Sequence, residues 1–169
     1  LCIANGCTMA INQKPSEILQ SMREIHPTCM CAVPRFWEKI YAAVQERIEK
    51  SNQMQKKLLL DALRIGHEYN VEYKMKGLLP PVGLRMQYSI YENTMIAFLK
   101  KQLGLERANF FPTAGAAVPP TIEDFVRSAG LMMVVGYGLT ESTATVSVDR
   151  PNMPITIGSV GRLLDGIEI

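Results

Sequence analysis

Apolar residues along the chain fall into short runs separated by stripes at helical spacing. Cys7 to Ile11 and Cys29 to Val33 are two such runs, each of a length that predicts a strand. Between them Pro15 suits a first helical position. Ile18, Leu19, Met22 and Ile25 then recur at helical spacing until Pro27 forces an end near His26. Pro34 opens a long helical region with Trp37, Ile40, Tyr41, Val44 and Ile48 on one stripe, and Glu38, Lys39, Glu46, Glu49 and Lys50 off it. The pattern is interrupted around Ser51-Asn52 and resumes through Leu58, Leu59, Ala62, Leu63 and Ile65 to about Tyr73. Gly77 to Gly83 is a loop by composition. Met86, Ile90 and Ala97, with Tyr91, Met95 and Phe98, predict another helix, closed by Lys100, Lys101 and Gly104.

Asn109 to Pro112 then leads into a run of small residues, Thr113-Ala114-Gly115-Ala116-Ala117. Pro119 starts a helix whose face is Ile122, Phe125, Val126 and Ala129, and Gly130 ends it. The five apolar residues Leu131 to Val135 stop abruptly at Gly136-Tyr137-Gly138 and predict a buried strand. Val146 and Val148, a polar loop at Pro151-Asn152, and Gly158-Ser159-Val160-Gly161 follow, and Asp165-Gly166 signals a turn before a final strand at 166–169. Strands and helices alternating in this way form a βαβ series. They predict an α/β fold with a mainly parallel sheet covered by helices.

At 169 residues the chain is long enough for one domain with a core. A net charge of +2, with basic and acidic residues interspersed, argues against a nucleic-acid partner. Cys2, Cys7, Cys29 and Cys31 contain no Cys-x-x-Cys pair, and no histidine stands at ligand spacing, so no zinc site is expected. Lying in or beside apolar runs, they read as small hydrophobes in a reducing, cytoplasmic compartment. Nothing reads as a signal peptide or as a membrane-crossing run. Starting at Leu1 and stopping within a predicted strand, the chain is expected to be an excised piece of a larger protein.

Chemistry is expected where the Leu131–Val135 run ends, because ligands of open parallel sheets sit beyond the carboxyl ends of the strands. Gly136 and Gly138 let a ligand approach the backbone, Tyr137 offers a flat face, Thr140 a hydroxyl, and Glu141 a charge for a metal or a base. The structural alternative is a tight exit turn, with Thr140-Glu141 opening the next helix. Trp37, on an apolar stripe, reads as a core anchor. His26 reads as helix-terminal, and His67 as an exposed residue with no third group to complete a nucleophilic set.

Three segments occur in one order: Thr113 to Ala117 followed by a helix, Gly136-Tyr137-Gly138-Leu139-Thr140-Glu141, and Gly158-Ser159-Val160-Gly161. Together they resemble the adenylate-forming enzyme superfamily, which includes acyl-CoA synthetases, luciferases and peptide-synthetase adenylation domains. Val33-Pro34-Arg35-Phe36-Trp37-Glu38-Lys39-Ile40 is similar to a segment of long-chain fatty acid–CoA ligases. The resemblance covers 1–169 as a central fragment of the large N-terminal AMP-binding domain, with a helical insertion at about 35–103. It implies an adenine pocket at Gly115, Ala116, Gly136 and Tyr137, an α-phosphate contact from Thr140, Mg²⁺ held by Glu141, and a fatty-acyl tunnel at Trp37 and Gly136, with Trp37 as its gate. The chain departs from the pattern at Ala114, where many members have glycine, at Ala117, where many have proline, and at Val135, which is often polar. Leu163-Leu164-Asp165 replaces a proline-bearing turn.

The implied reaction takes a fatty acid and ATP to an acyl-adenylate and pyrophosphate, after which CoA, the co-substrate, displaces AMP. No Thr-Ser-Gly-Thr-Thr-Gly-type phosphate loop occurs in the sequence, and the family's ribose-binding aspartate, hinge and catalytic lysine have no counterpart, so the isolated chain is expected to be inactive. Peripheral membrane contact through helices at 36–73 and homo-oligomerisation through exposed sheet edges are further expectations. The alternatives are another adenylate-forming enzyme, an aryl-CoA ligase or luciferase-like protein, and a non-enzymatic α/β binding domain.

Overall fold

The structure is a computed structural model that describes residues 4, 6–12 and 14–168. Its helices are α1 (Ile18–Ile25), α2 (Pro34–Glu49), α3 (Gln53–His67), α4 (Val82–Tyr91), α5 (Ala97–Leu103) and α6 (Pro120–Ser128). Local chemistry sets their ends. Proline occupies the first turn of α2 and of α6, where a missing N–H costs nothing. The Asn52 side chain caps α3 by accepting from the Gln55 N–H at 2.8 Å. His26 ends α1 in the left-handed conformation and donates its N–H to the Met22 carbonyl at 2.9 Å, the helix-terminal role expected of it. Two π-helical segments, Glu68–Tyr73 after α3 and Glu92–Ile96 between α4 and α5, extend the helical region.

Four strands, β1 (Phe111–Thr113), β2 (Met133–Leu139), β3 (Ala144–Val148) and β4 (Arg162–Leu163), form a sheet in that order. β1 and β2 are parallel, with Phe111 opposite Met133 and Thr113 opposite Val135, joined by α6 as a βαβ crossover. β2–β3 and β3–β4 are antiparallel. The α/β class is borne out, and the sheet is mixed. The Cys29–Val33 run contributes two isolated parallel bridges, Cys29 to Phe110 and Ala32 to Thr113. Cys7 to Ile11 is exposed coil instead of a strand, and the last strand sits at Arg162–Leu163, before the Asp165-Gly166 turn. Cys7, Cys29 and Cys31 lie at the surface, not in the core. Cys2 and Ile169 fall outside the described residues. No helix among the described residues is long and apolar enough to cross a membrane.

The main core packs the α2 stripe, Phe36, Trp37, Ile40, Val44 and Ile48, with Ile122, Phe125 and Val126 of α6 and with Phe111, Met133 and Val135 of the parallel strands. Trp37 is 0% exposed. Phe36 and Phe111 both meet its ring edge-on at 5.0 Å, and its Nε1–H donates to Thr113 Oγ1 at 3.0 Å. A second cluster joins Ala62 and Ile65 of α3 to Leu84, Tyr88 and Ile96, with Tyr88 stacked on Tyr69 at 4.0 Å. Here the sequence reading misassigned a face. Met86 and Ile90 point to solvent, while Leu84 and Tyr88 are buried. The stripe was counted across the Glu92–Ile96 π segment, whose wider turn shifts the phase of a 3.6-residue repeat.

A buried ionic network ties these parts together. Arg127 on α6 donates from Nη2 to Glu123 Oε1 at 2.7 Å and to Asp149 Oδ2 at 2.9 Å. Asp149 Oδ2 also accepts the Val135 N–H at 3.1 Å, and the Asp149 N–H donates to the Val135 carbonyl at 2.8 Å. Glu123 Oε2 accepts the Gly158 N–H at 2.9 Å. All three charged side chains are buried.

Three consequences follow for stability. Trp37→Ala removes the core's largest fully buried side chain and should cost about 3–5 kcal/mol in denaturant unfolding. Arg127→Met leaves two buried carboxylates facing each other and should cost about 3–5 kcal/mol, whereas the neutral triple variant Arg127→Met, Glu123→Gln, Asp149→Asn should recover much of the loss. Burial pushes the Tyr88 phenol from its ordinary 10.0 up to about 12, so the folded chain holds a proton that the unfolded chain releases in that interval. Stability should therefore fall as pH rises from 10 to 12, and Tyr88→Phe should remove that share of the fall in alkaline unfolding curves.

Candidate functional site at the β2–β3 hairpin

β2 does not end at Gly136. It runs on through Tyr137, Gly138 and Leu139 and turns back at 140–143 into antiparallel β3, so Thr140 and Glu141 sit at a hairpin tip instead of a helix start. Close approach of the two strands explains Gly138: a Cβ there would lie 1.9 Å from the Ala144 carbonyl oxygen. The ladder also shifts register between Tyr137 and Gly138. Thr143 (φ 59°) and Ala144 (φ 97°) hold left-handed backbone, which side-chain-bearing residues rarely adopt and which costs roughly 1–3 kcal/mol each. Ser142 fixes this turn. Its Oγ accepts the Leu139 N–H at 3.0 Å and lies 3.0 and 3.1 Å from the carbonyl oxygens of Leu139 and Ala144.

A cleft of about 590 Å³ opens beside the hairpin. Thr113 and Ala114 reach it from the carboxyl end of β1, Gly136, Tyr137 and Thr140 from β2 and its turn, and Thr145 from β3. It therefore sits where a ligand of an α/β sheet is expected, at the carboxyl ends of the parallel pair. Tyr137 lines this cleft and is 45% exposed. Gly115 and Ala116 lie in the exposed loop just beyond Ala114 and do not line the cleft. Glu141 is exposed at the tip, next to Thr140 and outside the lining. Trp37 also stays outside, in the core, but its hydrogen-bond acceptor Thr113 lines the cleft wall.

Among the described residues no three His, Cys, Asp or Glu side chains converge on a point where they could hold a metal. A cation at Glu141 would have one protein carboxylate and take its other ligands from substrate oxygens and water, a donor set that suits Mg²⁺ and not a closed protein cage. Gly158 to Gly161 is held firmly beside the hairpin. The Glu123 carboxylate takes the Gly158 N–H, the Ser147 hydroxyl donates to the Val160 carbonyl at 2.8 Å, and Gly161 (φ 83°) lies so close to β3 that a Cβ would come within 2.0 Å of the Val148 carbonyl carbon.

Sequence reasoning missed this support. Glu123 and Arg127 stand one helical turn apart, flanking the apolar face of α6, a spacing that could have suggested an ion pair, but nothing local points to Asp149. His67, which the sequence places at the surface, is half-buried, and its Nδ1 lies 2.7 Å from Asp124 Oδ1, linking α3 to α6 across 57 positions.

The model of the AMP-binding enzyme family matches residues 1–169. Long-chain-fatty-acid--CoA ligase ACSBG2 of Xenopus laevis is 28% identical over 148 residues, 88% of this chain and 19% of the relative. Long-chain-fatty-acid--CoA ligase ACSBG1 of Rattus norvegicus is 29% identical over 156 residues, 90% of this chain and 20% of the relative. Long chain acyl-CoA synthetase 3 of Arabidopsis thaliana is 27% identical over 171 residues, 100% of this chain and 24% of the relative. The chain thus spans about a fifth to a quarter of the length of these relatives. No solved structure matches it. With the family model matched along its whole length, through the cleft-lining hairpin and the Gly158–Gly161 loop, the chain belongs to the AMP-binding enzyme family.

Proposed function

We propose that this chain is part of a long-chain fatty acid–CoA ligase that activates its acid as an acyl-adenylate. In this reading it forms the central part of the AMP-binding domain, and the helices at about 35–103 are an insertion into it. The observation that carries the proposal is the cleft at the carboxyl end of the parallel strands, where Gly136, Tyr137 and Thr140 converge with Thr113 and Ala114. The names of the relatives support the choice of substrate class.

ATP enters the cleft with its adenine against the Tyr137 ring and the bare backbone of Gly136, and with Gly115 and Ala116 closing over it from the adjoining loop. Thr140 donates a hydrogen bond to the α-phosphate. Glu141 would hold Mg²⁺, which would supply charge neutralisation at the phosphates. The fatty carboxylate attacks the α-phosphorus and pyrophosphate leaves; the CoA thiol then attacks the acyl carbon, and AMP departs. Rate comes mainly from positioning and charge neutralisation. Gly136 and Trp37 flank the path of the acyl chain, the indole acting through Thr113. The phosphate loop, the ribose aspartate and the catalytic lysine have to come from other sequence, so this stretch alone carries no turnover.

In the full-length protein, Tyr137→Ala should weaken ATP binding about tenfold by calorimetry, the scale of one lost base–aromatic stack. Glu141→Ala should abolish the Mg²⁺ dependence of that binding and cut acyl-adenylate formation about 10²-fold or more. Wild-type AMP release should peak with long-chain acids. Turnover of an aromatic acid only would discard the substrate class while keeping the adenylation, and ATP binding indifferent to both substitutions would discard the site.

A further inference from the structure

The hairpin tip holds Thr140 and Glu141 by main chain alone. Among the described residues, neither the Thr140 hydroxyl nor the Glu141 carboxylate meets a protein partner at hydrogen-bond or ion-pair distance. Where the two groups point is therefore set by the turn that carries them. That turn is weakly closed by its own backbone. The Ser142 N–H reaches the Leu139 carbonyl at 3.3 Å and the Thr143 N–H reaches the Thr140 carbonyl at 3.2 Å, both at the long end of the range. Left-handed backbone at Thr143 and Ala144 works against it. Strain of this kind persists only where neighbouring contacts over-determine the conformation.

Ser142 supplies those contacts. Its Oγ accepts the Leu139 N–H at 3.0 Å and lies within 3.1 Å of the Leu139 and Ala144 carbonyl oxygens. Carrying one proton, it donates to one of these carbonyls at a time. Leu139 and Ala144 are the last paired residues of the two arms, so one oxygen closes the hairpin across its final rung. Every partner lies within three residues of Ser142, and the closure belongs to this stretch of chain itself. Ser142 lies outside the cleft lining, whereas Thr140 and Thr143 are part of it.

We infer that Ser142 is a positioning residue for acyl-adenylate formation. Its hydroxyl holds the 140–143 turn in the conformation that presents the Thr140 hydroxyl and the Glu141 carboxylate together to the phosphates of ATP. This rests on the roles proposed above for Thr140 and Glu141. Because Ser142 acts through them, its loss is felt where charge develops at the α-phosphorus and not where the fatty acid binds.

The test is ATP–pyrophosphate exchange by the full-length protein with a long-chain acid. Ser142→Ala should lower kcat about 10-fold to 10²-fold, the scale of a misplacement near 1 Å, and leave KM for the acid within about twofold. Ser142→Thr, which keeps a hydroxyl on the same carbon, should retain most of the rate. In a Glu141→Ala background the Ser142→Ala loss should shrink to about threefold or less, since one of the two groups it positions is gone. A loss of stability alone would act equally in both backgrounds. Ser142 is exposed, so circular dichroism should report an intact fold for each variant. A Ser142→Ala rate equal to wild type, Ser142→Thr no better than Ser142→Ala, or equal losses with and without Glu141 would each overturn the inference and leave the ATP site standing. Glu141→Ala at the wild-type rate would overturn the site and the inference together.

Discussion

Arg127 is buried between two carboxylates, and the rest of the site depends on how those charges are satisfied. A guanidinium taken from water costs several kcal/mol unless its donors are met, and a buried carboxylate costs as much. Here each acid is met twice. Asp149 takes Arg127 and the Val135 N–H, and Glu123 takes Arg127 and the Gly158 N–H. One guanidinium thereby fixes the relation of the crossover helix to the last residue of the parallel ladder, to the exit of β3 and to the glycine loop. Apolar contacts alone would tolerate a slide of α6 along the sheet. Directional bonds to two backbone N–H groups do not.

The network's position explains how the hairpin can hold strain. Val135, the last β2 residue paired with β1, exchanges hydrogen bonds with Asp149 through both its N–H and its carbonyl. The next residue, Gly136, begins the antiparallel ladder with β3. The two hairpin arms are therefore clamped at their base, and left-handed backbone at Thr143 and Ala144 is confined to the tip, where Ser142 gathers the turn's polar groups. A clamped base and a strained tip leave Thr140 in the cleft lining and Glu141 exposed beside it at the turn.

Much of this was legible in the residues. Helices α1, α2, α3 and α6 were readable from prolines and 3.6-residue stripes, and the α2 stripe is the core face. Gly-Tyr-Gly after an apolar run pointed to the strand end beside which the cleft opens, but its opposite wall is Thr113-Ala114 and not the Gly115 and Ala116 that the resemblance implied. The misreadings have definite causes. Gly136-Tyr137-Gly138 lacks the side-chain signature of a strand, so the strand was ended too early, although its partner β3 is what keeps it extended. Cys7 to Ile11 has the composition of a strand but remains exposed coil; a run that short needs neighbours to hold it. The α4 face was lost because a π segment breaks the period on which the stripe was counted. Contacts such as His67 with Asp124 and Arg127 with Asp149 join distant positions and leave no local trace.

Trp37 brings the two readings of the sequence together. As a fully buried indole between Phe36 and Phe111 it is a core anchor, yet its one polar atom is bonded to a threonine that lines the cleft. Thr113 is 1% exposed, and its hydroxyl lies 3.3 Å from the Phe111 carbonyl, to which it donates, so its acceptor role belongs to the indole. Rotating the ring out of its pocket would break that bond and two aromatic contacts at once, leaving a buried N–H unpaired. Such a motion is costly unless an apolar group fills the vacated volume. The indole therefore ties the core to the cleft wall through one buried hydrogen bond to Thr113.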